Sequence, residues 1–222
     1  MKYNLSAKTS NPLPAAVRWL GSISYPKAFF LQQKMIADRA DKIIPDTLLL
    51  LEHPPTFTLG LRGKVEHFLV SIDSLRKKQI AILRSDRGGD VTFHGPGQLV
   101  GYPIIDIAAR RCDIRQYVHQ LENMVIEALS AFCINARHMP GYPGVWAGEK
   151  KIAAIGVKVN AAGITSHGFA LNVNTDLTYF ENIVPCGLEN KSVTSMAEIL
   201  KRPVHMEQVR AILSKIFMRV FG

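Results

Sequence analysis

The sequence predicts an α+β fold, a mostly antiparallel sheet with helices packed on one side. Two observations predict it: short apolar runs of strand length dominate the middle of the chain, and helical periodicity is confined to a few stretches. A third bears on its organisation. No internal repeat, low-complexity tract or Gly/Ser/Pro-rich linker divides the 222 residues. Residues 1–222 therefore read as a single domain, with residues 1–15 as a flexible N-terminal extension.

In chain order, residues 17–20 read as a first strand. Pro26 then opens a helix to about Ala40, with Ala28, Leu31, Met35 and Ile36 on one face. Residues 47–51 form an apolar run of strand length, ended by Glu52-His53-Pro54-Pro55, and residues 56–60 resume as a strand. A short helix over 71–78 and a strand over 80–83 follow. Residues 87–98 are crowded with glycines and a proline and read as a loop. Strand-like composition returns over 99–105. Asp113 caps a long helix to about Phe132, with Gln116 at N3 and Ile114, Val118, Leu121, Val125, Ala128 and Phe132 at helical spacing. Residues 145–147 and 150–159 form a hairpin around Gly148-Glu149, and 164–173 a further strand. Val209, Ile212, Leu213, Ile216 and Val220 mark a closing helix.

The net charge of +9 favours anionic partners: nucleic acid, acidic proteins or anionic lipid. No zinc-finger spacing or nucleic-acid-binding motif accompanies it. No apolar run approaches the ~20 residues that span a bilayer. Three cysteines are too few, and odd in number, for a disulfide scaffold, and point to a reducing compartment. The start has no secretory apolar region. It is basic and free of acid until Asp38, which fits a short disordered tail or an organelle transit peptide.

Four stretches carry candidate chemistry. Residues 87–98 lack the Gly-Lys-Ser/Thr end of a P-loop and the dinucleotide fingerprint, so those modes of nucleotide binding are not expected. Their glycines would let the backbone approach an extended ligand, or would build a turn with bulges. His94 lies within this stretch. His53 and His167 are weaker candidates, and histidines without local spacing give no reason to expect zinc. Cys186, between Pro185 and Gly187, is a nucleophile on a sharp turn or a small buried hydrophobe. Lys151 heads a strand whose alternation puts it on one face with Ala153, Ile155 and Val157. It is either a solvated lysine or, if buried, an amine that activates a thiol as base or counter-ion. Cys112, after two arginines at a helix start, is the rival nucleophile; Cys133 reads as core.

Residues 87–98 (Arg-Gly-Gly-Asp-Val-Thr-Phe-His-Gly-Pro-Gly-Gln), 151–156 (Lys-Ile-Ala-Ala-Ile-Gly), 166–172 (Ser-His-Gly-Phe-Ala-Leu-Asn) and 185–187 (Pro-Cys-Gly) occur in the order found in the octanoyltransferases of lipoate biosynthesis. The chain resembles that family over about residues 17–200. The resemblance implies the biotin/lipoate protein ligase-like fold. It implies transfer of an octanoyl group from acyl carrier protein to a lysine of a lipoyl domain, the first step of protein lipoylation, through an acyl-thioester on Cys186. Lys151 would tune the thiol. Acyl binding would map to Arg87, Gly88, Gly89, Asp90, Val91, Thr92, Phe93 and His94, to Ala154, Ile155 and Gly156, and to Gly168, Phe169 and Ala170. The implied partners are octanoyl-acyl carrier protein as donor, and the lipoyl domains of 2-oxoacid dehydrogenases and the glycine cleavage H protein as acceptors. No metal, cofactor, nucleic acid or membrane is implied, and a monomer in the cytoplasm, or in a mitochondrial matrix or plastid, is expected. An ATP-dependent lipoate ligase of the same fold is the alternative enzyme, and a basic nucleic-acid-binding protein the alternative of another class.

Overall fold

A computed structural model describes residues 14–184 and 192–222. In order these form β1 (Ala16–Ser22), α1 (Tyr25–Ala40), β2 (Thr47–Glu52), β3 (Thr56–Leu59), α2 (Ile72–Lys77), β4 (Ala81–Arg84), β5 (Val91–His94), β6 (Gln98–Ile104), α3 (Ile114–Ser130), β7 (Val145–Ala147), β8 (Lys150–Val159), β9 (Thr165–Asn172), α4 (Met196–Leu200) and α5 (Met206–Phe221). A six-stranded sheet has the order β1-β2-β6-β9-β8-β7, and a three-stranded sheet the order β4-β3-β5. Among the described residues each sheet has one parallel strand pair, β1 with β2 and β3 with β4; the other strand pairs are antiparallel. No helix among the described residues is long and apolar enough to cross a membrane.

The expected mostly antiparallel sheet is present, but the helices cover both of its faces. The reason lies in β2. Leu48 and Leu50 point into a core shared with α3 and α5, where Leu121, Val125, Leu213 and Phe217 pack. Leu49 and Leu51 point the other way, onto Ala28 and Met35 of α1. A strand of unbroken leucines has no polar face to give to water, so it needs cover on both sides.

The helix boundaries follow local chemistry. Asp113 caps α3 by accepting from Arg115 N at 2.8 Å and Gln116 N at 2.9 Å, and Gln116 Oε1 accepts back from Asp113 N at 3.1 Å. Such a capping box stabilises a helix by about 1 kcal/mol. At its other end α3 stops at Ser130, short of the expected Phe132. The chain turns left-handed at Cys133 (φ 58°), which is exposed rather than core. The stripe of α5 closes on Phe217 and Phe221, with Val220 exposed.

The glycine-rich stretch is only partly a loop. Val91–His94 pair with β3, and Val91 and Phe93 bury against Phe57 and Phe180. Alternation along Val-Thr-Phe-His sends Thr92 and His94 to the opposite face. Glycines at both ends mask this strand in the sequence.

Candidate active site

A cavity of about 420 Å³ lies between the two sheets, beside the start of α1. That size is ordinary for a small-ligand site. Ala154 and Gly156 of β8 and Gly168 and Ala170 of β9 form one wall, with Ile155 and Phe169 at its edge. Arg87, Asp90, Thr92 and His94 face them from the smaller sheet and its leading loop. Tyr25, Arg62, Tyr102, His167 and residues 141–143 complete it. Small residues make the hollow. A Cβ on Gly168 would collide with Gly101 O, and one on Gly156 would sit 2.8 Å from Gly88 O.

Four of the expected acyl-binding residues do not line the cavity. Val91 and Phe93 are core, as described. Gly88 N donates to Val157 O at 3.0 Å, tying the loop to β8, and Gly89 O accepts from Arg62 N at 3.0 Å with Gly89 at φ 92°. These residues help build the structure around the cavity. Arg87 reaches the cavity, but its donors also frame the loop: they go to Thr58 O at 2.7 Å, Asp90 O at 2.7 Å and Gly88 O at 3.0 Å.

Lys151 reaches the cavity through a β-bulge. Val145 pairs with Ala153 but Trp146 pairs with Lys151, so Ile152 is an extra residue on β8. Ile152 and Ala153 therefore both enter the α3-side core. The expected face-sharing of Lys151 with Ala153, Ile155 and Val157 is overturned: the bulge resets the alternation and puts Lys151 on the cavity side with Ala154 and Gly156. Its Nζ donates to Pro143 O at 3.1 Å and lies 5.0 Å over the Trp146 ring. Lys150 points elsewhere and pairs with Glu198 at 3.0 Å on the surface.

The polar floor is a single chain of hydrogen bonds. Gln98 Nε2 donates to Phe93 O at 3.1 Å and to Asn172 Oδ1 at 2.9 Å, so Gln98 Oε1 is left to accept from His94 Nδ1 at 2.8 Å. His94 Nε2 is then an acceptor, and the Thr58 hydroxyl donates to it at 3.3 Å while accepting from Arg87 Nε at 3.1 Å and Nη2 at 2.9 Å. Burial, with His53 and Arg87 nearby, holds the His94 pKa well below the usual histidine value. His94 is a neutral, fixed acceptor. Replacing Thr58 by Val removes the acceptor of two Arg87 N–H groups and the donor to His94. The expected cost is about 2–4 kcal/mol of stability, read by urea denaturation, since buried donors lose their partner.

His53 is also held neutral: burial lowers its pKa to about 4. Its Nδ1 donates to Ile23 O at 2.6 Å, and its Nε2 accepts from Tyr102 Oη at 2.8 Å. His167, a weak candidate from sequence, proves more interesting. Nε2 meets Asp86 Oδ1 at 2.7 Å, and Asp86 Oδ2 meets Lys158 at 2.6 Å. Burial pushes the Asp86 pKa up, but Lys158 and His167 together outweigh it and leave it below the usual value. His167 Nδ1 is buried with no hydrogen-bond partner among the described residues. Tyr25, Arg62, Tyr102 and residues 141–143 escaped the sequence reading because only the fold brings them to the cavity.

Cys186 lies outside the described residues. The chain on either side of that segment is anchored at the cavity's rim. Val184 N donates to His67 O at 2.8 Å, and the His67 ring meets the cavity's Asp90 at 2.8 Å. On the far side, Lys151 N donates to Ser192 O at 2.9 Å and Thr194 N to Lys151 O at 2.9 Å. The rival thiol does not line the cavity: Cys112 sits half-buried just before the cap of α3, where burial and Asp113 push its pKa up and Arg110 only partly offsets them.

Residues 24–218 match the model of the lipoyl protein ligase A/B catalytic domain. A relative called octanoyltransferase from Solibacter usitatus is 48% identical over 205 residues, 92% of this chain and 92% of the relative. Among solved structures, a lipoate-protein ligase A bound with ATP superposes with a TM-score of 0.69 at 18% identity, over 94% of this chain and 85% of that one. A biotin protein ligase from Aquifex aeolicus does so with a TM-score of 0.52 at 15% identity, over 94% and 71%. Both support the expected ligase-like fold.

Proposed function

The chain belongs to the lipoyl protein ligase A/B catalytic family and its activity is octanoyl transfer in protein lipoylation; from that premise we propose that acyl carrier protein is the donor and Cys186 the acyl carrier. The observation that carries the reading is the anchoring of both flanks of the Cys186 segment, one beside Asp90 and the other on the backbone of Lys151.

In the first step the Cys186 thiolate attacks the carbonyl carbon of the octanoyl thioester. The new C–S bond forms, the bond to the phosphopantetheine sulfur breaks, and that sulfur leaves with the proton that Lys151 took from the thiol. In the second, the amine of a lipoyl-domain lysine attacks the Cys186 thioester. An amide forms, the C–S bond breaks, and Lys151 moves a proton from the amine to the departing sulfur. Ala154, Ile155, Gly156, Phe169 and Ala170 give the acyl chain an apolar wall, and each methylene buried there contributes about 0.8 kcal/mol. An acyl chain filling this cavity also displaces water from beside the thioester.

The test is a lipoyl domain offered octanoyl-acyl carrier protein without ATP, against free octanoate with ATP. Modification in the first mixture is expected; modification confined to the second would make the protein a ligase. The small wall also sets chain length. Ala154 and Ala170 are cross-strand partners on β8 and β9. Ala154→Leu is expected to lower kcat/KM for octanoyl transfer by about 10-fold or more and to spare a butyryl donor, since misfit of one or two methylenes costs roughly 1–3 kcal/mol.

A further inference from the structure

Outside the cavity, among the described residues, one cluster of side chains has the composition and spacing of a ligand set. His119 and Glu122 are three residues apart on α3 and so share a face. The segment after the helix folds His138 back onto them. His138 Nδ1 lies 2.8 Å and His119 Nδ1 3.8 Å from the same oxygen, Glu122 Oε2. The two imidazoles stack with centroids 4.2 Å apart, and one donor atom from each of the three residues falls within 4.8 Å of the others. Bonds of about 2.0–2.2 Å in a tetrahedral zinc site separate donors by roughly 3.3–3.5 Å. The observed spacings straddle that range, so side-chain rotation alone closes the site.

We propose that His119, Glu122 and His138 bind a divalent transition-metal ion of the zinc class. Two imidazoles and a carboxylate suit zinc, cobalt, nickel or copper, whereas magnesium and calcium prefer all-oxygen ligands. The outer contacts that orient ligands are already built. His138 Nε2 faces Asn123 Oδ1 at 2.9 Å, which leaves Nδ1 for the metal, and Glu122 Oε1 accepts from Gly144 N at 2.8 Å. The Glu122 side chain is 10% exposed and that of His119 61%, so the carboxylate is fixed and the approach is open. Three protein ligands leave a position for water. The site backs directly onto the cavity: Gly144 follows Pro143, whose carbonyl accepts from Lys151 Nζ. A bound ion would hold that wall in place through Glu122.

The experiment is a titration of the untagged protein with cobalt(II), followed by visible absorption. One equivalent is expected to give the d–d bands of nitrogen and oxygen ligation with no thiolate charge-transfer band. Zinc should displace it and magnesium should not. His119→Ala, at an exposed position, should keep the wild-type melting temperature without metal and weaken cobalt binding by at least about 10-fold, and Asn123→Ala should weaken it by about 10-fold. Equal binding by the wild type and His119→Ala would overturn the site, as would a thiolate band, which would put the metal on a cysteine. No saturable binding would also overturn it.

Discussion

Mixed with octanoyl-acyl carrier protein and no acceptor, the protein is expected to gain one octanoyl group on Cys186, and Cys186→Ser to lose transfer by on the order of 10⁴-fold or more. A serine hydroxyl is far less acidic than a thiol and offers almost no alkoxide at neutral pH, so isosteric replacement still removes the nucleophile. The other two cysteines make the mapping decisive. Cys112 does not line the cavity and its thiol pKa is pushed up, and Cys133 is exposed past the end of α3. Mass spectrometry of the digested acyl-enzyme reads the position. An adduct on Cys112, or wild-type turnover by Cys186→Ser, would remove Cys186 from the mechanism and leave the octanoyl activity to another route.

The parts of the fold that the sequence revealed are those whose cause is local. The leucines of β2 announce a buried strand, and Asp113 with Gln116 announces the start of α3, because both signals sit within a few residues of what they specify. The parts it concealed depend on partners distant in the chain. Nothing near β2 says that α1 will cover the face opposite α3 and α5. Nothing in Lys-Ile-Ala-Ala-Ile-Gly says that the pairing with β7 will leave Ile152 unmatched, yet that bulge decides which way Lys151 points. The cavity divides the same way. Thr92 and His94 follow from alternation once β5 is known to be a strand. Tyr25 opens α1, Arg62 sits in the turn after β3 and Tyr102 lies in β6, and no spacing rule links them. His167 was visible as a histidine, but its role as a cavity wall braced by Asp86 required the contact between residues 81 positions apart.

That bulge leads to the second large effect. Lys151→Ala is expected to lower octanoyl transfer by about 10²–10⁴-fold, the usual worth of a positioned acid–base group, while Lys150→Ala stays within about twofold of wild type. The two lysines are adjacent in sequence and identical in chemistry, so a difference this large can come only from direction. Lys150 is paired with Glu198 on the surface, and loss of such a pair costs at most about 1 kcal/mol of stability. Lys151 lines the cavity, and its backbone bridges to the described residues that follow the Cys186 segment, at Val193. Lys151→Arg separates its two possible services to the thiol. Arginine keeps a cation beside a thiolate but does not give up a proton. In the proposed cycle one proton must be taken from the thiol and delivered to the pantetheine sulfur, and another must pass from the lipoyl lysine to Cys186. Single-turnover acylation and transfer should therefore both remain slow in Lys151→Arg. Near-normal rates in that variant would reduce Lys151 to a counter-ion, and equal losses in the Lys150 and Lys151 alanine variants would show that the bulge does not select the working lysine.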